Sequence, residues 1–193
     1  MNRGPALILL RHAESRGNAD RLMQGQGDYQ LSDTGRAQAR SARPVVASWG
    51  LPVVGSSDLA RAVATAKLLG GRVLITDPRW RERCAGRWEG MPRHLMEAEL
   101  GRPLGDGWRP ADFEPLAKVV ERMLDAAGEM LAAGSRGVVV THGAALRALD
   151  AHLGGSGEKF PNLAGLALDL QCRPIGRCYG LAPGPAGTAT RCP

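Results

Sequence analysis

Cysteine is scarce in this chain: Cys84, Cys172, Cys178 and Cys192 are all it has, and no two share a C-x-x-C spacing or a metal-like pattern. That argues against a disulfide scaffold and a zinc module. Four free thiols in a reducing compartment are the expectation, with a Cys172–Cys178 pair across a hairpin as the lesser alternative. Aromatic residues make up 4%, too few for a base-stacking platform. Only three of the 25 basic residues are lysines, Lys67, Lys118 and Lys159. The net charge of +6 therefore comes from arginine in an Ala- and Gly-rich background. It fits a small anionic substrate as well as it fits nucleic acid, so no nucleic-acid partner is expected. The longest apolar run near the start, Ala6–Leu10, is too short to span a bilayer and lacks the layout of a secretory signal. The expectation is a cytoplasmic protein with no membrane partner. Its 193 residues suffice for one large domain with a core of its own.

Short apolar runs alternate with helical patterns. "ALILL" (6–10), "LPVVGSS" (51–57), "RVLITDP" (72–78) and "RGVVVTHG" (136–143) read as strands. A helix is expected after Ser32 or Asp33, kinked or ended by Pro44. Another is expected after an Asp58 cap, with Leu59, Val63, Ala66 and Leu69 on one face and Gly70–Gly71 as its stop. Leu116, Val119, Val120, Met123, Leu124, Ala127 and Met130 form a helical stripe. A further helix should run from the fourth strand to about Leu153. "LAGLALDL" (163–170) and "RCYGLA" (177–182) look like a closing hairpin. The fold expected is α/β: a three-layer sandwich with a mostly parallel central sheet and helices on both faces. A single domain is expected over 1–182, with a substrate-covering insertion at about 88–113 and a disordered tail over 183–193.

In such sheets ligands bind beyond the carboxyl ends of the strands. Arg11 and His12 follow the first strand, and His142 follows the fourth. Arg61 falls in the first turn of the helix after the second, where a cation opposes the helix dipole. A lone histidine is usually a hydrogen-bonded structural residue, and an exposed arginine usually a solvated one. Two histidines at equivalent strand tips, with Arg11 beside one, are less easily explained that way. Arg61 either points to solvent or meets an anion at the helix end, a phosphoryl group being one such anion. Guanidinium forks match phosphate oxygens. They also repel a proton from a nearby imidazole, which can then attack phosphorus and form a phosphohistidine.

"LLRHAES", "LSDTGRAQA", "SSDLARAVATA", "RERCAGRWEG" and "VVVTHGAALRAL" occur in this order. Together they resemble the histidine phosphatase superfamily, in the branch containing cofactor-dependent phosphoglycerate mutases and many small phosphatases. The resemblance runs over roughly residues 6–170. It implies a phosphoglycerate mutase-like fold, with His12 as nucleophile and Arg11, Arg61 and His142 as the phosphate pocket. It implies that Asn18 donates to the phosphoryl group and that Gln24 and Gly25 contact the substrate. Glu82 would be the acid that protonates the leaving oxygen and then activates water, and the backbone at Gly143 and Ala144 would add donors. No metal or cofactor is called for, because arginines supply the positive charge. Ala13 stands where the family commonly has glycine, with a modest backbone effect expected.

The activity implied is metal-independent hydrolysis of a small-molecule phosphate monoester. Phosphoglycerate-type mutase chemistry is an alternative, disfavoured by a short carboxyl segment; a catalytically silent phospholigand-binding protein is another. His94 and His152 are expected to be structural. Trp88, Met91, Trp108 and Phe113 in the insertion would favour a heterocyclic or nucleotide-like leaving group if they line the mouth. The run Arg79, Arg81, Arg83, Arg87 and Arg93 would instead suit a second negative group if it reaches the substrate. A homodimer is left open.

Overall fold

The computed structural model describes residues 4–72, 74–103 and 109–179. Strand β1 (Leu7–Arg11) is central, and its apolar run reflects burial on both faces. Leu7 and Leu9 point into one core, Ile8 and Leu10 into the other. Beside β1 lies β4 (Gly137–Thr141), then β2 (Val53–Ser56), then the edge strand β3 (Ile75–Thr76), all parallel. On the other side the hairpin β5 (Gly165–Leu168) and β6 (Pro174–Cys178) runs antiparallel. The sheet order is β3-β2-β4-β1-β5-β6. The helices α2 (Asp33–Ser48) and α3 (Ala60–Leu68) pack on one face. Helices α5 (Leu116–Ala132) and α6 (Gly143–His152) pack on the other. Two short helices, α1 (Arg16–Ala19) and α4 (Arg93–Leu100), and 3-10 turns at Pro78–Trp80 and Gly86–Trp88 lie in the connections.

Several local expectations need correction. Pro44 sits inside α2 and does not end it. Pro44 and Arg40, whose carbonyl loses its helical donor, are both exposed, while Ala39, Ala42 and Val46 hold the inner face. Water can serve that carbonyl. Asp58 does not cap α3: its carboxylate pairs with Arg81 at 2.5 Å, and Asp28 accepts from the Ala60 N–H at 2.8 Å instead. The third strand shrinks to two residues because it is an exposed edge, with Ile75 61% exposed. Of the expected face after Asp58, Leu59, Ala66 and Leu69 are buried and Val63 is half-buried, while Ala62 joins the buried side.

Cys172 is a free thiol, as is Cys84, so the pair across the hairpin is not made. Cys178 is held in a disulfide, which corrects the expectation of four free thiols. No helix among the described residues is long and apolar enough to cross a membrane. The expected tail over 183–193 lies outside the described residues, as does Trp108. Within the insertion, Trp88 and Met96 pack with Ala85 and Phe113 into a small separate core.

Candidate active site

Sheet register assembles the site. Parallel pairing sets Arg11 opposite Thr141, so His12 and His142, the next residues along, emerge side by side. Their rings lie 5.1 Å apart in an edge-to-face contact. Ser56 pairs with Val140, and the Ser57 N–H bonds to the Val140 carbonyl at 2.8 Å. This brings the third strand tip level with the other two and delivers Arg61 from the first turn of α3.

His12 is 2% exposed. Its Nδ1 lies 2.6 Å from the Ala13 carbonyl. A carbonyl can only accept, so Nδ1 carries the proton and Nε2 keeps its lone pair. Burial, then the charges of Arg11 and Arg61, push the His12 pKa well below the ordinary imidazole value. His142 is pushed down likewise by burial, by Arg61, by His12 and by Arg11. Both imidazoles are therefore neutral at pH 7.

The two arginines are held by backbone. Arg11 Nη1 donates to the Phe160 carbonyl at 2.6 Å. Arg61 donates from Nη1 to Gly27 at 2.6 Å and from Nη2 to Gly25 at 2.8 Å. Gly25 has φ +49°, and a Cβ there would lie 2.2 Å from Glu89 Oε1, so glycine alone fits this loop. Arg11 Nε, Arg61 Nε and both ring nitrogens of His142 are buried without a hydrogen-bond partner among the described residues. Buried polar atoms are rarely left unpaired. Neutral His142 carries one N–H, so three of these four nitrogens are donors, suited to a group rich in oxygen.

Glu82 enters from the loop after the Pro78–Trp80 turn. Its carboxylate lies on the amino end of α6, accepting from the N–H groups of Ala144 at 3.0 Å and Ala145 at 2.9 Å. Helix α6 has no side-chain cap of its own, so Glu82 satisfies these donors. The Ala144 donor expected for the substrate is thus taken by Glu82 in this structure. Gly143 packs behind Arg11, where a Cβ would approach Nε to 3.1 Å, and is not part of the cavity wall.

Arg11, His12, Asn18, Gln24, Gly25, Arg61, Glu82 and Ala144 line one cavity of about 730 Å³, and His142 backs it through His12. The Ser15 N–H, at 3.2 Å, fixes Asn18 Oδ1 and so orients the amide, leaving its NH₂ as the donor end. Gln24 turns its Oε1 toward the Ser15 hydroxyl at 2.6 Å. Ala13 is fully buried, and its N–H bonds to Thr65 Oγ1 at 3.1 Å. Its methyl group is accommodated within the core under α3.

The outer wall is basic. Arg83, Arg93, Arg109, Arg147 and Lys159 line it, against Glu158. Of the predicted basic run, Arg83 and Arg93 reach the cavity. Arg79, Arg81 and Arg87 pair with Asp77, Asp58 and Glu99. Trp88 is fully buried and does not reach the mouth, whereas Phe113 does. Arg109, Arg147 and Lys159 escaped the sequence reading, because nothing local in them marks a shared wall. No group of three or more His, Cys, Asp or Glu suited to a metal occurs among the described residues.

The family model of the histidine phosphatase superfamily (branch 1) matches residues 7–169. A glucosyl-3-phosphoglycerate phosphatase of Mycolicibacterium vanbaalenii is 37% identical over 178 residues, covering 83% of this chain and 79% of its own. A probable phosphoglycerate mutase GpmB of Yersinia enterocolitica is 37% identical over 155 residues, covering 74% and 72%. Among solved structures, mycobacterial glucosyl-3-phosphoglycerate phosphatase complexed with VO3 superposes with a TM-score of 0.74 at 31% identity. That match covers 87% of this chain and 93% of the other. A mycobacterial hydrolase gives 0.76 at 30% identity, covering 89% and 96%.

Proposed function

Because the chain belongs to the histidine phosphatase superfamily, we propose that it is a metal-independent phosphomonoesterase working through phospho-His12. The observation that carries this is the protonation pattern of His12. Its Nδ1 proton is committed to Ala13, its charge is suppressed by burial and by Arg11 and Arg61, and the unpaired donors beside it await oxygens. The phosphoryl group of a monoester binds to Arg11, Arg61, His142 and the Asn18 amide. Nε2 of His12 attacks phosphorus in line. The P–N bond forms as the P–O bond to the leaving group breaks, and Glu82, which must enter this step as the protonated acid, gives its proton to the departing oxygen. Glu82 then takes a proton from water, whose oxygen attacks phosphorus. The P–N bond breaks and inorganic phosphate leaves. The guanidinium charges stay fixed throughout and favour the charge that spreads over the equatorial oxygens.

The wall beyond this centre favours an acidic leaving group over a heterocyclic one. Among the described residues five cations, one of them (Arg93) paired with Glu97 at 2.8 Å, face one additional carboxylate there, and Phe113 is the aromatic side chain. The two curated relatives compared above are named for phosphoglycerate, itself a phosphorylated acid. The substrate class proposed is a phosphate ester carrying a second anionic group.

Acid-labile label from ³²P-substrate should appear on the wild-type chain and not on His12→Ala, which should lose turnover. Survival of activity in His12→Ala would refute the reading. In a substrate panel, phosphorylated hydroxy acids should exceed neutral sugar phosphates in kcat/KM by about tenfold, the equivalent of 1.4 kcal/mol. A preference for nucleoside monophosphates would overturn the substrate class. Phosphoryl movement between positions of one substrate, stimulated by a bisphosphorylated primer, would instead establish a mutase.

A further inference from the structure

The loop that carries Glu82 has little backbone pairing to define its path. After the turn at Pro78–Trp80 it belongs to no helix or strand until Gly86. Yet four consecutive carbonyls, those of Arg79, Trp80, Arg81 and Glu82, each accept from a side chain. Thr141 Oγ1 reaches Trp80 at 2.7 Å. Arg122, on α5, covers the other three: Nη1 reaches Arg79 at 2.6 Å and Arg81 at 2.7 Å, and Nη2 reaches Glu82 at 3.1 Å. Gln26 Nε2 adds a second donor to the Glu82 carbonyl at 3.1 Å.

The other edge of the Arg122 guanidinium grips Glu114, with Nε at 2.8 Å from Oε1 and Nη2 at 3.0 Å from Oε2. Glu114 in turn accepts the Cys84 N–H at 3.0 Å, and its carbonyl accepts Arg83 Nε at 2.6 Å. One pair of side chains therefore clamps the backbone on both sides of Glu82. Both are well enclosed, each 17% exposed, and neither lines the cavity. Lysine could not substitute, since an ammonium has no planar fork to serve three carbonyls and a carboxylate together.

We propose that Arg122, braced by Glu114, is a positioning residue for the proton donor, setting where the Glu82 carboxyl stands relative to the leaving oxygen. The inference rests on Glu82 being that donor. Proton donation by a well-placed acid is worth 10² to 10⁴ in rate for poor leaving groups and little for good ones. Misplacing the donor should therefore show as a dependence on leaving group. A general loss of fold would reduce all substrates alike.

The test compares wild type, Glu82→Gln, Arg122→Lys and Glu114→Gln on p-nitrophenyl phosphate and on an alkyl phosphate such as glycerol phosphate. It reads kcat/KM, which reports the steps up to phosphoenzyme formation. Arg122→Lys should lose about 30-fold more on the alkyl ester than on the nitrophenyl ester. Combined with Glu82→Gln it should add nothing to that ratio. Equal losses on both esters in Arg122→Lys, with a clear split in Glu82→Gln, would overturn the positioning role. If Arg122→Lys fails to fold, by circular dichroism, Glu114→Gln retains the guanidinium and gives the same reading: a split supports the role, equal loss refutes it. Equal losses in Glu82→Gln itself would strike the donor assignment instead, and the inference with it.

Discussion

Inorganic phosphate should stabilise this fold, by an amount that follows from how the cavity is charged. Arg61 is 1% exposed, and Arg11 Nε is fully enclosed. Neither forms an ion pair among the described residues; backbone carbonyls hold both. Arg79, Arg81, Arg122 and Arg177, by contrast, each meet a carboxylate. Burial pushes the pKa of Arg11 and of Arg61 down, and the charge of Glu82 offsets this only in part. Two like charges held close in a poorly hydrated site destabilise the unliganded state. A phosphate dianion supplies the missing counter-charge and pairs with the orphaned nitrogens. At a hundred times its Kd, a ligand specific for the folded state contributes about 2.7 kcal/mol. For a domain of this size each kcal/mol moves Tm by about 2–4 °C, giving a rise of about 5–11 °C. Thermal denaturation would be followed at pH 7.5 against phosphate, with sodium chloride at matched ionic strength as the control for screening. Arg61→Met should reduce the shift to that of chloride. A wild-type curve without a saturable phosphate response, or an undiminished response in Arg61→Met, would refute the reasoning.

Other outcomes follow from the same geometry. His12 should stay neutral well below the pH at which a free imidazole protonates when its ring is followed by NMR, and Arg61→Met, by removing one repelling charge, should raise its titration midpoint. A midpoint unchanged in the variant would contradict this. Both buried histidines have folded pKa values below their unfolded ones. The unfolded chain therefore binds more protons as pH drops below about 6.5, and stability is lost there at about 1.4 kcal/mol per pH unit for each imidazole. Urea denaturation between pH 7 and 5 measures that slope, and a flat profile would exclude neutral burial. Gly35→Ala should cost at least ~2 kcal/mol, because its Cβ would lie 1.9 Å from the Glu14 carbonyl oxygen; chemical denaturation checks it. Pro44→Ala should stabilise by about 1–3 kcal/mol, restoring a donor inside α2. Unchanged stability would show that solvent already compensates the loss.

Much of the fold was legible in the sequence, for reasons visible in particular elements. The unbroken run Leu7–Leu10 marks a strand buried on both faces, and the spacing of Val119, Val120, Met123 and Ala127 marks α5. Where local signals misled, a distant residue or the solvent had intervened. Asp58 has the chemistry of a cap, but Arg81 takes its carboxylate and Asp28 caps α3 from 32 residues away. Pro44 breaks a helix only when the freed carbonyl has no recourse, and here Arg40 and Pro44 both lie on the exposed side. Trp88, in an insertion poor in regular structure, went to a small core of its own rather than to the cavity mouth.

The sequence alone determined which residues could do chemistry. Cationic and imidazole side chains placed directly after buried strands are a local pattern, and strand and helix periodicity depends on neighbours a few residues apart. Only the tertiary structure decided how those residues work together. Parallel register sets His12 beside His142, carbonyls from a glycine loop aim Arg61, and Arg122 with Glu114 holds the backbone under Glu82. These contacts join segments that lie from eight to about 130 residues apart in the chain, and no local pattern records which partner a donor will meet once the layers close.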